Sequence, residues 1–372
     1  MKIIVACGGT SGHINPAIAI ANEMKLRHPD AEILFIGTEN NREADLVPRA
    51  GYKIMFVKAN GFTRVKTLKA AKHNIKALFT FASTSSKLRK IIREFAPDVA
   101  IGTGGFVSAP VMYTASKMHI PTVIHEQNAF AGVTTKMLAS RVDKIFLSFP
   151  LKNKLNCPEN MCVLTGNPIM REFLTKTREE ARKELGIDEN VPVVLSCGGS
   201  LGAREINDAF CKMAVLSAKE GMIIHYHGAS SDYARVIETL GETAKAPNLH
   251  IMEYIYNMPT VMAAADIVIN RSGAMTLTEI AALGKASILI PSPNVAENHQ
   301  YYNAKTYSDI GAAVLIEEKD LDGEKLYSLV KDLCSDRERL KKMEKAALSL
   351  AKTDAAEKIC EETEKVMLKH GR

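Results

Sequence analysis

No stretch of the chain approaches the ~18–20 consecutive apolar residues of a membrane-spanning helix, so no span is expected within these 372 residues. The opening MKIIVACGGTSGH has a lysine and then an apolar run, as signal peptides do. Gly8, Gly9 and His13 interrupt it early, and a buried first strand accounts for it better. Seven cysteines is an odd number, with no CxxC spacing and no Cys/His cluster. Neither a disulfide framework nor a metal site is indicated, and Cys7, Cys162 and Cys197, in apolar strand-like runs, read as buried thiols in a reducing compartment. No Walker A sequence occurs, which argues against an NTPase P-loop, and the glycine-rich turns do not follow GxGxxG, which argues against a dehydrogenase. Low-complexity segments are absent. The formal charge of +6 is modest and comes without any RNA- or DNA-binding motif, so no nucleic-acid partner is expected.

What the chain does have is alternation. Its length suits two domains better than one core. Short apolar runs predict strands at Lys2–Cys7, Glu32–Gly37, Lys53–Val57, Val99–Gly102, Thr122–His125, Lys144–Ser148 and Cys162–Thr165. A second series covers Pro192–Cys197, Met222–Gly228, Leu249–Glu253, Ile267–Asn270, Ser287–Pro291 and Ala313–Glu317. Helix-length segments such as Pro16–His28 and Arg178–Leu185 lie between them. Continuous apolar strands alternating with helices predict parallel sheets covered on both faces. Each half opens with a strand running into Gly-Gly and a helix, at Cys7–Gly12 and Cys197–Gly202, which predicts two Rossmann-like domains. Gly166-Asn-Pro168 marks the boundary. The expected division is 1–164, 165–345 and a C-terminal helix at 346–372 that packs back on the first domain. The charged stretch Asp336–Lys369 reads as long helix.

Turns rich in small residues end four strands, at Gly8–His13, Gly102–Gly105, Gly198–Gly202 and Ser272–Gly273. Open α/β sheets place ligands there, and small residues let a ligand approach the backbone. Ser272–Glu279 is the most informative. A strand, a Ser-Gly turn and a helix start form an anion site, because the first helical N–H groups lack intrahelical partners. Glu279 adds a carboxylate one turn on, suited to ribose hydroxyls; an ordinary βα turn with a surface glutamate is the plainer alternative. His13 admits two readings, a local cap or a group facing a cleft as phosphate contact or proton acceptor. His125-Glu-Gln-Asn128 puts four polar residues at a strand end, costly to bury unless partnered; they line a cleft or hold its loops. In Glu297-Asn-His-Gln300, the amides of Asn298 and Gln300 could bond sugar hydroxyls, or the segment is a solvated loop.

An ordered set of motifs then carries a resemblance. GGTSGHINPAIAIA at Gly8–Ala21, GTGGFVSAP at Gly102–Pro110, HEQN at His125–Asn128 and TGNP at Thr165–Pro168 form its first part. GGSLGAREIN at Gly198–Asn207, RSGAMTLTEIAALGKASILIPSP at Arg271–Pro293 and ENHQYYNA at Glu297–Ala304 complete it. The set resembles the MurG family of bacterial N-acetylglucosaminyltransferases, from about residue 3 to about residue 317. That resemblance implies an α/β GT-B fold, two Rossmann-like domains with parallel sheets facing a deep cleft. It implies inverting transfer of N-acetylglucosamine from UDP-N-acetylglucosamine, held mainly by the C-terminal domain, to the C4 hydroxyl of lipid I, the undecaprenyl-pyrophosphoryl acceptor of peptidoglycan synthesis. No catalytic metal and no cofactor are implied. It further implies a peripheral protein on the cytoplasmic face of the cell membrane, serving cell-wall growth, shape and division.

Carried over by motif, Thr10, Ser11 and Gly12 match a donor-contacting loop that commonly reads Thr-Gly-Gly, so Ser11 is a departure. Asn128 and Gln300 match sugar contacts, and Ser200 a phosphate or uridine contact. Ile255 matches the residue whose backbone reads uracil. Ala274, Met275, Thr276, Leu277, Thr278 and Glu279 match the helix start that holds diphosphate and ribose. The family often has arginine straight after GNPx, whereas here Met170 precedes Arg171. For the base, His13 is favoured and Glu126 is the alternative. With no span, a lipid acceptor must be met at the bilayer surface. Residues 61–93 suit an anionic one: Arg64, Lys66, Lys69, Lys72, Lys76, Lys87, Arg89, Lys90 and Arg93 interleave with Leu68, Ile75, Leu78, Phe79 and Phe81. An amphipathic helix on its own sheet is the alternative there. Competing functions are another lipid-directed GT-B transferase, for instance one using diacylglycerol, a UDP-sugar epimerase, and a non-catalytic UDP-sugar-binding regulator.

Overall fold

The computed structural model describes residues 1–59, 83–151, 155–199 and 202–372. The chain divides into two compact units, Met1–Met170 with Thr353–Arg372, and Arg171–Lys352. The division falls after Met170, six residues beyond the expected 164, because the Gly166-Asn-Pro168 segment is bonded into the first unit. There the Gly166 carbonyl lies 3.1 Å from His125 Nε2, and Ser148 Oγ donates to Asn167 Oδ1.

The first unit is a 7-stranded sheet in the order β3-β2-β1-β4-β5-β6-β7, every pairing parallel. Its strands are β1 (Lys2–Cys7), β2 (Glu32–Gly37), β3 (Lys53–Phe56), β4 (Val99–Gly104), β5 (Thr122–Glu126), β6 (Lys144–Leu147) and β7 (Cys162–Leu164). Ile3, Ile4, Val5, Ala6 and Cys7 are wholly buried. The continuous apolar run therefore reflects helices on both faces. The second unit is a 6-stranded sheet in the order β10-β9-β8-β11-β12-β13, again parallel throughout. It comprises β8 (Val193–Cys197), β9 (Ile224–Gly228), β10 (Leu249–Met252), β11 (Ile267–Asn270), β12 (Ala286–Leu289) and β13 (Ala313–Leu315).

In both sheets the strand order reverses at one place, between β1 and β4 and between β8 and β11. Adjacent connections there leave in opposite directions and open a crevice at the strand C-termini. The four small-residue turns of the sequence end these four strands.

Two helices differ from expectation. The first begins at Ser11, not Pro16, and runs to Arg27 with Pro16 inside it. At the sixth helical position Pro16 removes the donor to the Gly12 carbonyl, and its ring crowds that same carbonyl, where residue 12 has no side chain of its own. The tail is two helices, Arg337–Leu348 and Ala355–Lys369. Leu340 and Met343 pack into the second unit's core, whereas Ile359, Cys360, Val366 and Met367 pack into the first. A continuous 3.6-residue period cannot show that a helix changes partner.

The second unit also buries charge. Arg182 is 1% exposed and Asp266 3%. Asp266 accepts from Arg182 at 2.8 Å, Arg178 at 2.7 Å and the Val193 amide at 2.8 Å. Arg182 also donates to the carbonyls of Ala264, Asp188, Glu189 and Val191. A buried ion pair is tolerable when its remaining donors are satisfied, and this one ties the start of β8 to the residue before β11.

Candidate functional site

At the crevice of the first unit, Thr10 is the extended N-cap of helix Ser11–Arg27 and makes no side-chain cap bond. Ser11 is buried, and Gly12 and His13 are half-buried in the first turn. The loop before them is held by Glu43, which the sequence reading missed. Glu43 is 0% exposed. Its carboxylate accepts from the Gly9 amide at 3.0 Å, the Thr38 amide at 3.0 Å and Thr38 Oγ1 at 2.5 Å. Three donors offset its desolvation. A Cβ on Gly8 would lie 2.7 Å from Glu43 Oε1, so the glycine there makes room for the carboxylate.

The β4 turn packs on this loop. Gly105 has φ +78°, and a Cβ on it would sit 2.1 Å from the Gly8 carbonyl oxygen. Gly104 has φ +107°, and its Cβ would sit 2.6 Å from His13 Nδ1. His13 Nδ1 lies 3.1 Å from the Thr103 carbonyl and 3.1 Å from Gln127 Oε1. Burial lowers the His13 pKa, partly offset by the Glu126 charge, the Gln127 bond and the Thr103 carbonyl. The ring is therefore neutral at neutral pH, the form a proton acceptor requires.

Of HEQN, three residues are buried and only Asn128 is half-exposed. Glu126 Oε2 accepts from the Gly132 amide at 2.9 Å and Thr135 Oγ1 at 2.6 Å, and Oε1 from the Asn128 amide at 3.2 Å. This carboxylate is occupied in anchoring the 128–135 loop. His125 is held neutral, its pKa pushed down to about 4 by burial.

In the second unit, helix Ala274–Leu283 starts from Gly273, which has no cap side chain, and its first turn holds no acidic residue. The Leu277 amide bonds back to Gly273 at 3.1 Å, while the amides of Ala274, Met275 and Thr276 find no backbone acceptor among the described residues. Thr278 Oγ1 donates to the Ala274 carbonyl, and Tyr307 Oη to the Leu277 carbonyl. Glu279 is 7% exposed, and burial pushes its carboxyl up to about 8. Unlike Glu43, it receives no donor among the described residues.

Ile255 is buried beside Gly228, and its backbone N–H and C=O make no turn or loop bond among the described residues. Gln300 Oε1 accepts from the Ser292 amide at 2.9 Å, which leaves the amide nitrogen as its donor. Ahead of helix His299–Asp309, Glu297 and Asn298 have φ 55° and 49°. Ser200 lies outside the described residues. Arg171 is exposed and occupies the N-cap position of the short helix Glu172–Thr175 without a side-chain cap bond. Met170 packs against the first unit's core.

Residues 3–147 match the glycosyltransferase family 28 N-terminal domain, and residues 193–359 match the glycosyltransferase family 28 C-terminal domain. The chain belongs to glycosyltransferase family 28. Over 371 residues it is 44% identical to the UDP-N-acetylglucosamine--N-acetylmuramyl-(pentapeptide) pyrophosphoryl-undecaprenol N-acetylglucosamine transferase of Acetivibrio thermocellus, covering 99% of this chain and 98% of that one. The crystal structure of Acinetobacter baumannii MurG is 25% identical with a TM-score of 0.66, over 98% of this chain and 99% of that one. The UDP-GlcNAc 2-epimerase of Neisseria meningitidis, at 15% identity and TM-score 0.63 over 99% and 100% of the two chains, shares the fold. The expected GT-B class, with its two parallel-sheet domains, therefore holds.

In this family 28 chain the supports around the second unit's site also went unread. Ser272 Oγ donates to the Gln300 carbonyl at 2.8 Å, and Asn303 Nδ2 to the Ser272 carbonyl at 3.1 Å. Arg271 donates to the carbonyls of Ile290 and Pro291 and pairs with Glu205 and Glu318. The first two bonds fix helix His299–Asp309 against the 271–273 turn, and Arg271 ties the turn to the 290–291 segment and to Glu205 and Glu318. A serine, an asparagine and an arginine beside recognised motifs were the available signal, but which backbone groups they reach depends on the fold.

The Gly8–Gly105 approach is directly testable. Gly51 has φ +85° with nothing near its Cβ position, so Gly51→Ala reports backbone strain alone, about 1 kcal/mol. Gly105→Ala adds the collision with the Gly8 carbonyl and should cost at least ~1–2 kcal/mol more in urea unfolding. Equal costs would show that the two loops part freely.

Proposed function

We propose that the chain transfers N-acetylglucosamine from UDP-N-acetylglucosamine to the C4 hydroxyl of undecaprenyl-pyrophosphoryl-N-acetylmuramoyl-pentapeptide, converting lipid I to lipid II. The observation that carries this is 44% identity, over 99% of the chain, to a transferase named for that donor and acceptor. The reaction inverts the anomeric carbon. His13 Nε2 takes the proton of the C4 hydroxyl as that oxygen bonds to C1. The C1–O bond to the diphosphate breaks, and its electron pair leaves with UDP. The uncapped amides at Ala274–Thr276 and the helix dipole stabilise the charge growing on the leaving phosphate. Glu279 takes the ribose hydroxyls, and the Ile255 backbone reads uracil. Gln300 and Asn128 are assigned to the sugar, and Thr10, Ser11 and Gly12 to donor contacts. His13 is preferred to Glu126 because the carboxylate oxygens of Glu126 are taken by the 128–135 loop.

Transfer of labelled N-acetylglucosamine to a lipid I analogue is the primary test. Diacylglycerol as the accepted substrate, or turnover of the donor without any lipid, would overturn the reading. His13→Ala should lower kcat at least ~100-fold, the scale of general-base catalysis, with donor affinity little changed. Near-normal turnover would remove His13 as the base.

Glu279 gives a pH signature. Free, its pKa is about 8, so near pH 7.5 it is mostly protonated. Hydroxyls that donate to the carboxylate favour the ionised form and pull the pKa down. UDP binding should then release a fraction of a proton at pH 7.5, and affinity should rise with pH up to about 8. Calorimetry in buffers of different ionisation enthalpy reads the release, which Glu279→Gln should abolish along with much of the affinity. An affinity unchanged in that variant would end the ribose assignment.

The bilayer contact is assigned to residues 61–93 and the cytoplasmic face. Residues 60–82, which carry Leu78 and Phe79, lie outside the described residues. Residues 83–95 are helical, with Leu88, Ile91 and Ile92 buried and Lys87, Arg89, Lys90 and Arg93 exposed. That basic face supports the reading, and no described helix is long and apolar enough to cross a membrane. Co-sedimentation with vesicles should require anionic lipid and weaken with salt. Binding that persists after Leu78 and Phe79 are both made polar would count against this surface.

A further inference from the structure

The bonds around His13 fix more than its position. A carbonyl oxygen only accepts. The Gly166 carbonyl lies 3.1 Å from His125 Nε2, so that nitrogen carries the hydrogen and His125 Nδ1 is the bare acceptor. Gln127 Nε2 reaches both His125 Nδ1, at 3.0 Å, and the Thr103 carbonyl, at 2.6 Å. Turning the amide over would set Oε1 against two acceptors. Its orientation is therefore determined, and Oε1 is the atom presented to His13. His13 Nδ1 thus faces two acceptors, Gln127 Oε1 and the Thr103 carbonyl, each at 3.1 Å. It must carry a hydrogen.

We propose that Gln127, oriented by His125 and the Thr103 carbonyl, is a positioning residue that fixes His13 as the Nδ1–H tautomer and leaves Nε2 as its basic nitrogen. This rests on the reading of His13 as the base. Either tautomer of a free imidazole is accessible, but only one puts the lone pair on the nitrogen away from β4 and β5. When Nε2 takes a proton, the Nδ1–H of the imidazolium still points at two neutral acceptors. A carboxylate in the Gln127 position would hold that charge too firmly. Of the groups bearing on the ring, Glu126 and His125 come from β5, and β4 contributes the Thr103 carbonyl. Glu126 acts through space, its oxygens being bonded to the 128–135 loop.

The test is the pH dependence of kcat and KM, with UDP-N-acetylglucosamine and a lipid I analogue, for Gln127→Glu and Gln127→Met. Each is also made in a His13→Ala background. Gln127→Glu places an anion against Nδ1–H and raises the imidazole pKa. The base must be neutral to act, so the acid limb of kcat should move to higher pH by about one unit or more. Gln127→Met should lower kcat about 10- to 100-fold through misorientation, with the donor KM within about threefold, the split expected of a transition-state role. With alanine at position 13, neither change should matter further. Nitrogen-15 histidine spectra of the unaltered full chain give a readout independent of any variant, with His13 protonated at Nδ1 and bare at Nε2. An Nε2–H tautomer there, or an acid limb unmoved in Gln127→Glu, overturns the proposal. Near-normal turnover in His13→Ala would instead remove the base assignment while leaving the tautomer result standing.

Discussion

The carbonyl oxygen of Thr103 receives two N–H donors, from Gln127 at 2.6 Å and His13 at 3.1 Å. It lies next to the end of β4, a parallel strand enclosed by apolar neighbours, where an unpaired carbonyl would be expensive. Much of the first unit's site answers to that requirement. The donors are side chains, because the register of β1 on β4 jumps from Gly102 to Gly104 and leaves Thr103 out of that ladder. They come from the first turn of helix Ser11–Arg27 and from the residue that follows β5, which draws both onto β4. Gly104 and Gly105 allow the closure by leaving out side chains that His13 and Gly8 would meet. The His13 imidazole is in place partly because the Thr103 carbonyl has to be satisfied.

The two units share a plan and resolve it differently. In the first, polar groups at the strand ends are paired with one another: Glu43 with three donors, Glu126 with its loop, His125 with Gln127, Gly166 and Ser148. Such a network is rigid and holds one geometry. In the second, the groups at the crevice have no partners of their own among the described residues: the amides at Ala274–Thr276, the Ile255 backbone and the Glu279 carboxylate. Rigidity would suit the proton acceptor proposed for the first unit, and open hydrogen-bonding capacity the nucleotide grip proposed for the second.

The sheets were legible because strands buried on both faces leave a continuous apolar record, and each predicted strand lies within about two residues of its place. The binding turns were legible because small residues mark close approach. Glu43 was not, since it sits in a polar stretch far in sequence from the glycines it braces. Glu126 could not be separated from His13 by residue type, because only the count of donors around it shows that it is committed to a loop. The broken tail helix escaped for a related reason: periodicity records that a face is buried, not what buries it.

The closing helix Ala355–Lys369 joins the first unit, with Arg27 on Glu364 and Cys360 against the Ile20 carbonyl. Its partner is the helix whose first turn carries His13. During synthesis the whole of 171–352 must therefore emerge before the first unit has all its parts. The second unit, continuous in sequence, can close on itself while the earlier one still waits with the outer face of helix Ser11–Arg27 uncovered. The order of completion runs against the order of the chain. A chain cut before Ala355 keeps the whole of 171–352 and lacks the helix that covers the one carrying His13.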